Sequence, residues 1–476
     1  MEENKTFYLG ATVATGFERT AQDECTEKLG PEANACSGRG RIYFQLCRSQ
    51  LKKALDLRSI DHLFVVVKRL KALDLQQSKD KSLDELCCHL THSDWEQSVE
   101  VWTLFKGLDF TPTVLESFLS SSRTNGNTSS IDETSNDKPS DCSSESDTLD
   151  SVPIQGTLDA QPAHPSLPEN PPYLPTFRVT GHRVGDRHNF SSQEAASKMG
   201  EHLIRRYGWP VKMKKFDMEV LVNVNNDDAT IGINLTEESL HKRNIIHFGP
   251  TTLRSTLAHC MLRLGEPQPG DVICDPMCGG GSIPLEGALN WGSYFLGGDN
   301  HDIACVHSRD NVAAMNEKRQ SQGSGCLRMD VIQWDVTNLP LRTNSLDVIV
   351  SDMPFGKRMG SRLNNWELYR RSLLEMGRVC RQGSGRAVLL TQDKKCMAKI
   401  LFKVSSVWRK KVQLVINIGG LYACVYVLKR RGKTEEASKQ EADSSSQSEH
   451  TSKQEADSSS QSEHTSKQEA DSSSQS

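Results

Sequence analysis

Two short runs in this chain carry residue types that can do chemistry. Residues 271–286 read Asp-Val-Ile-Cys-Asp-Pro-Met-Cys-Gly-Gly-Gly-Ser-Ile-Pro-Leu-Glu, a short apolar strand running into a glycine-rich turn. Residues 351–356 read Ser-Asp-Met-Pro-Phe-Gly, a strand that ends in an acid, a proline and an aromatic. In one parallel sheet both endings lie at the carboxyl edge, where doubly wound α/β folds bind their ligands. The first ending suits a nucleotide-like cofactor. The second suits a planar base that carries an exocyclic amine.

The glycine turn has a physical logic. Gly279, Gly280 and Gly281 let backbone approach a ligand closely and admit positive φ without strain, and Cys278 lies just before them. The helix that follows points free N–H groups toward a carboxylate or phosphate. Asp275, at the strand end, can orient the amino acid part of a charged cofactor. Asp299, followed by Asn300, lies 24 residues beyond Asp275, close to the spacing at which an acid reaches a ribose diol. Asp335, beside Trp334, can accept from an adenine amino group. Each acid alone is an ordinary loop residue; the ordered series points to an adenosine ligand. A phosphate-binding P-loop is excluded because no Gly-Lys-Ser/Thr follows the glycines. A dinucleotide site fits less well, since Pro284 stands where Gly-x-Gly-x-x-Gly needs its last glycine, and it leaves the second motif without a role.

That second motif, Asp352-Met353-Pro354-Phe355, has the parts that methylation of an exocyclic amine needs. Asp352 supplies a carboxylate for an N–H, the carbonyl before or at Pro354 supplies a fixed acceptor, and Phe355 can stack on the base. No strong base is required when the methyl donor is an activated sulfonium. A covalent cysteine mechanism is disfavoured, because Cys278 is inside the turn and no cysteine sits beside Pro354. By itself the motif is also an ordinary strand end with a proline stop.

The elements that position these motifs follow from periodicity. A helical face marked by Leu253, Leu257, Met261 and Leu264 precedes expected strands at 271–275, 293–298, 346–352 and 385–391, with a helix over 365–380. Runs 412–418 and 421–428, joined by Gly419-Gly420, predict a terminal hairpin and hence one antiparallel strand in an otherwise parallel sheet. Upstream, strands are expected at 41–46, 63–67, 101–105 and 177–180, with a helical stretch near 51–57. Ser191 and Glu194 have capping-box spacing before a helix carrying Ala196, Met199, Leu203 and Tyr207 on one side. Runs 218–224 and 229–235 around Asn225-Asn226-Asp227-Asp228 predict a hairpin.

Only 36% of the 476 residues are hydrophobic, so part of the chain is expected to lack a core. Residues 119–172 are rich in Ser, Thr, Asp, Asn and Pro, and residues 432–476 repeat a polar unit of 14 residues. Neither can build a packed interior, so both are expected to be disordered. The formal charge of −4 belongs largely to these stretches; setting them aside leaves 51 basic and 42 acidic residues, a balance that suits a polyanionic partner. The 14 cysteines contain no Cys-x-x-Cys pair, and no signal-peptide pattern opens the chain. Reduced thiols in a cytoplasmic protein, or one also nuclear, are expected, with no metal. No apolar run approaches the ~20 residues that span a bilayer.

Residues 250–430 resemble class I S-adenosylmethionine-dependent methyltransferases of the branch that carries Asn/Asp-x-Pro-Phe/Tyr. The sequence departs from that pattern at Gly280, where Thr is common, and at Met353, where Pro or Leu is frequent. Leu235-Thr236-Glu237-Glu238-Ser239-Leu240-His241-Lys242-Arg243-Asn244 resembles the end of a THUMP domain, an RNA-binding α+β module. With Gly10–Glu18, Phe248–Leu257 and Phe355–Ser361, nearly all of the expected folded chain is similar to the THUMP-bearing tRNA guanosine-N2-methyltransferases. The resemblance implies an α/β methyltransferase domain at 250–431 behind a THUMP-bearing α+β region, split into 1–118 and 173–249 by the insert. It implies S-adenosyl-L-methionine as cofactor, methylation of guanine N2 in the acceptor stem of tRNA, and a small zinc-containing activator subunit as partner. Guanine rather than another base rests on the resemblance alone.

Basic clusters supply candidate RNA contacts. Arg205, Arg206, Lys212, Lys214 and Lys215 interleave with Tyr207, Trp209 and Phe216; His241, Lys242 and Arg243 form a second group; Lys357 and Arg358 follow the second motif. A solvated helix face accounts for any single one of them equally well. Two other readings stay open on residues alone: an amine methyltransferase acting on DNA or protein, and a non-catalytic RNA-binding protein with a vestigial cofactor fold.

Overall fold

The computed structural model describes residues 5–108, 174–249, 252–355 and 362–433. It divides into two compact units, Met1–Val66 with Asn234–Ser476, and Val67–Ile233. The segmentation expected from sequence grouped residues 1–118 together, whereas the first 66 residues pack with the C-terminal part. The expected insert at 119–172 and tail residues 434–476 lie outside the described residues.

The chain opens with β1 (Thr6–Thr12), α1 (Glu18–Leu29), β2 (Cys36–Gly38), β3 (Arg41–Cys47), a 3-10 stretch at Arg48–Asp56 and β4 (His62–Leu70). These strands run antiparallel in the order β2-β3-β1-β4. Alternation along β1 buries Phe7, Leu9 and Ala11. Gly10 pairs with Phe64, and a Cβ at position 10 would strike that ring, so glycine lets the phenyl group lie across β1.

The second unit contains α2 (Lys79–Cys88), α3 (His92–Lys106), β5 (Phe177–Val184), α4 (Ser192–Tyr207), β6 (Met218–Asn225) and β7 (Asp228–Asn234). Strands β7, β6 and β5 are neighbours in that order, with β5 parallel to β6 and the β6–β7 hairpin antiparallel. The expected strand at 101–105 is instead the end of α3. A Thr91–Asp94 capping box starts that helix, and Trp95, Val99 and Trp102 bury one face at helical spacing. That period overrides the strand preference of Val-Trp-Thr-Leu-Phe. The Ser191–Glu194 capping box of α4 forms as expected, and its buried face is Ala195, Met199, Leu203 and Tyr207, with Ala195 taking the place expected for Ala196.

The remainder of the first unit is α5 (Ser255–Gly265), β8 (Val272–Asp275), α6 (Ser282–Asn290), β9 (Tyr294–Asp299), α7 (Asp302–Ser321), β10 (Met329–Gln333), β11 (Val348–Asp352), α8 (Arg362–Val379), β12 (Arg386–Thr391), α9 (Lys394–Lys403), β13 (Trp408–Ile418) and β14 (Leu421–Arg430). The sheet order is β10-β9-β8-β11-β12-β14-β13. Its first five strands are parallel; β14 pairs antiparallel with β12 and β13 antiparallel with β14, so β14 of the terminal hairpin is the one reversed strand among those described. This is the doubly wound class expected from the sequence.

β11 is buried on both faces, which is why it reads as an unbroken apolar run rather than an alternation. Val348 and Val350 face Gly265 of α5, while Ile349 joins Tyr369, Leu373 and Met376 of α8 in the core on the other side. Strand order reverses between β8 and β11, so the ends of both motifs meet at the switch point of the sheet.

Candidate active site

The two strand ends place their acids around one cleft of about 380 Å³. Asp275, Cys278, Gly279, Asp299, Asn300 and Asp335 line one side of it, and Asp352 and Pro354 line the other. That volume lies in the range of small-molecule sites.

The glycine turn is held by its own hydrogen bonds. Asp299 accepts from the N–H of Gly279 at 3.0 Å with one oxygen and from that of His301 at 3.0 Å with the other. Gly279 and Gly281 have φ of 52° and 81°, a region that side chains with a Cβ rarely enter. Gly281 does not line the cleft; a Cβ there would run into Ser308 of α7, so this glycine lets the turn seat on the helix. Trp334 is only 6% exposed and donates its indole N–H to the Pro276 carbonyl at 3.1 Å. It braces the turn from beneath through space left by Gly298, while Asp335 faces the cleft.

The electrostatics of the two carboxylates at the switch point differ from those of ordinary surface acids. Asp275 is buried and accepts from the Ser351 hydroxyl at 2.7 Å and the Met277 N–H at 3.2 Å. Burial dominates those bonds and pushes its carboxyl up to about 7. Asp352 is pushed well above the usual carboxylate range by burial and then by Asp275. Its Oδ1 is buried without a hydrogen-bond partner. A buried acceptor left open is costly in a folded protein, and this one belongs to a residue that lines the cleft.

The carbonyl of Pro354 is already engaged, accepting from the Tyr369 hydroxyl at 2.7 Å and from the Asn365 amide at 3.4 Å. Tyr369 in turn contacts the Thr391 hydroxyl at 2.7 Å. These bonds fix the backbone just after Asp352. Phe355 opens on a neighbouring cavity of about 650 Å³ that also holds Trp366, Lys394, Lys395 and Tyr422. The sequence carried no signal for Tyr369 or Asn365, which sit on an otherwise ordinary amphipathic helix. It also missed Thr252 and Leu253, which line the cleft.

Of the basic candidates, Arg205, Arg206, Lys212, Lys214 and Lys215 are all exposed in the second unit. The interleaved Tyr207 and Trp209 are core residues, stacked on each other at 4.8 Å, and Phe216 lies under the Arg178 guanidinium. In the first unit, the Lys242 ammonium lies over the Phe248 ring, and His241 contacts the Ser239 hydroxyl at 2.6 Å. Arg243 turns inward to Glu286 at 3.3 Å and donates to the Arg58 carbonyl, with its side chain 11% exposed. It therefore offers little surface to a phosphate. Lys357 and Arg358 lie outside the described residues.

Residues 243–423 match the RMKL-like methyltransferase domain family, and residues 161–234 match the THUMP domain. The chain is 44% identical over 450 residues to a Bos taurus protein named tRNA (guanine(6)-N(2))-methyltransferase THUMP3, covering 89% of this chain and 88% of the relative. A Thermus thermophilus tRNA (guanine(6)-N2)-methyltransferase is 31% identical over 261 residues, covering 54% of this chain and 72% of that one. The crystal structure of TrmN from Thermus thermophilus superposes with a TM-score of 0.58 at 24% identity, covering 90% of this chain and 100% of that chain, a likeness of fold.

Proposed function

The chain belongs to the THUMP3 methyltransferase family, and we propose that it uses S-adenosyl-L-methionine to form N2-methylguanosine in tRNA, at guanine 6 of the acceptor stem. The observation that carries the chemistry is Asp352, whose buried, unpartnered oxygen stands at the end of β11 beside a cleft ringed by acids.

The residues fit that cofactor. Asp275, Asp299, Asp335 and Asp352 surround a small cleft, and a ligand bearing a sulfonium and an ammonium relieves carboxylates whose ionisation burial opposes. Asp275 would face the amino acid part, Asp299 the ribose and Asp335 the adenine amino group. S-adenosylmethionine supplies an electrophilic methyl group when bound there.

The chain's own part is positioning and charge. Asp352 accepts one N–H of the guanine amine, and the Met353 carbonyl accepts the other, since the Pro354 carbonyl is taken by Tyr369 and Asn365. Holding both N–H groups aims the nitrogen lone pair along the line of attack. As the new N–C bond formed and the donor's S–CH3 bond broke, leaving its electron pair on a neutral thioether, the nitrogen would become cationic and its extra proton would pass to the Asp352 carboxylate, then to solvent. Phe355 gives the base a face to lie against. Exposed cations of the second unit, with Lys242, supply contacts for phosphates.

A small zinc-containing activator subunit completes the reading. Among the described residues β10 and β13 are the edges of the sheet that carries both motifs; the β13 edge already donates from Asn417 to the Thr15 carbonyl, so β10 is the edge that can take an added strand. β8, β9 and β12 are interior and already paired on both sides, so none of them offers an edge to a partner.

The test is incubation of the chain, with and without such a subunit, with labelled S-adenosylmethionine and tRNA transcripts bearing guanine or adenine at position 6. Label in N2-methylguanosine, lost with the adenine transcript, is expected. Label in another nucleoside, or none under either condition, overturns the reading.

A further inference from the structure

Asn311 lies on α7, a turn beyond Ser308, where the sequence offers no reason to single it out. It is 1% exposed, and its carboxamide is used on both sides. The oxygen accepts from the backbone N–H of Ile246 at 2.9 Å and of His247 at 3.0 Å. The amide nitrogen donates to the carbonyl of Gly280, in the middle of the glycine turn, at 2.8 Å. A single side chain therefore joins the segment that approaches the catalytic domain to the turn that faces the cofactor cleft. The backbone supports the same closeness, since a Cβ on Gly280 would meet both the Asn311 amide and the His247 carbonyl within 4 Å.

Other contacts tie the same segment to the same turn and its helix. Arg243 and Asn244 each reach Glu286 of α6 at 3.3 Å. The Ser282 hydroxyl, at the first position of α6, donates to the Leu253 carbonyl at 2.7 Å. His247 stacks on His307 at 4.7 Å and lies 3.3 Å from Asp310, both on α7. Thr252 and Leu253, a few residues beyond the Asn311 contacts, are themselves walls of the cleft.

We propose that Asn311 is a positioning residue for the cofactor: it staples residues 246 and 247 to the glycine turn, so cofactor affinity and the order of that segment rise together. The reciprocity is thermodynamic. If a ligand is bound more tightly when the segment is docked, it must also hold the segment docked more firmly. The proposal rests on the cofactor reading above and adds the residue that couples the cleft to its approach.

The experiment uses the full chain, co-expressed with any subunit it needs, and S-adenosylhomocysteine as the probe. Calorimetry measures affinity, and amide hydrogen exchange follows Ile246 and His247. In wild type, the ligand is expected to slow exchange at both amides. Asn311→Ala should weaken binding roughly tenfold, the scale of one or two buried hydrogen bonds, and abolish the ligand's effect on exchange. Asn311→Asp separates the halves. A carboxylate still accepts from Ile246 and His247 but faces the Gly280 carbonyl without a donor. The two amides should stay protected while affinity falls and the ligand no longer changes their exchange. A purely structural asparagine would lower the melting temperature of the free protein and leave the ligand-induced change in place. Wild-type affinity in a folded Asn311→Asp variant, or wild-type exchange unaltered by the ligand, overturns the proposal. A wild-type chain that binds no S-adenosylhomocysteine overturns the cofactor reading and this inference with it.

Discussion

The two halves of the cleft are built on opposite principles. On the side proposed for the cofactor the polar groups are already engaged: Asp299 bridges Gly279 and His301, Asp275 holds Ser351 and Met277, and Trp334 braces Pro276. On the amine side Asp352 keeps an oxygen buried and unpaired, while the chain beyond it is fixed by Tyr369 and Asn365. One half is a finished mould. The other stores an unmet hydrogen bond that, on the proposed reading, the acceptor base completes, and that difference would separate binding from chemistry.

The largest expected effect breaks the amine half alone. Asp352→Ala should lower methyl-transfer kcat by at least about a hundredfold while calorimetric cofactor affinity changes little, because the lost acceptor faces the base. Turnover within a few fold of wild type would remove Asp352 from the chemistry. Asp352→Asn sharpens the point: it keeps an acceptor, loses a charge that burial opposes, and should raise the melting temperature at pH 8 while still lowering kcat.

Next comes the turn. Gly281→Ala forces a Cβ into a left-handed position and against Ser308. The strain, on the order of 1–2 kcal/mol before the clash is counted, should lower both melting temperature and cofactor affinity. An unshifted melting curve would show that the turn can rearrange freely.

Asp299→Ala is expected to weaken cofactor binding by roughly 1–3 kcal/mol, because it frees two backbone N–H groups as well as a ribose contact. kcat at saturating cofactor should stay nearly constant. A drop in kcat without a change in affinity would put Asp299 in the wrong half.

The smallest effect is a slope. Asp275 titrates near 7 in the folded chain and near the ordinary carboxylate value when unfolded. Between those values the folded state holds a proton that the unfolded state has lost. This contribution to stability is therefore full below about pH 4 and is lost as pH rises through 7, on the order of 2–4 kcal/mol in all. Asp275→Asn keeps an acceptor for Ser351 and Met277 and should flatten that decline in denaturant titrations between pH 5 and 8. The same slope in both proteins would mean the decline arises elsewhere.

Much of this site is legible in the sequence, because its parts are local. A strand ending in Asp275 with three glycines after it, and another ending in Asp352-Met353-Pro354-Phe355, require particular residues at particular positions for steric reasons. Short-range patterns also carried the Ser191–Glu194 cap and the terminal hairpin. The misreadings have equally local causes: residues 101–105 look like a strand unless Thr91, Asp94 and Trp95 are weighed with them. Arg243, Tyr207 and Trp209 look like a nucleic-acid surface because a sequence lists a side chain without saying which way it points.

The sequence by itself determined the local form of each strand end, since glycine's freedom, proline's stop and the position of an acid after an apolar run act over a few residues. Only the tertiary structure decided which groups would share a hydrogen bond across the chain. Asp275 and Ser351 are brought together by parallel pairing of β8 and β11. Tyr369 reaches Pro354 from the following helix, and Asn311 joins Gly280 to Ile246 and His247 from three separate segments. Tyr369 and Asn311 are ordinary polar residues on helices. They acquire a role because close packing leaves them no water, so each must find its partner in whatever backbone the fold carries past it.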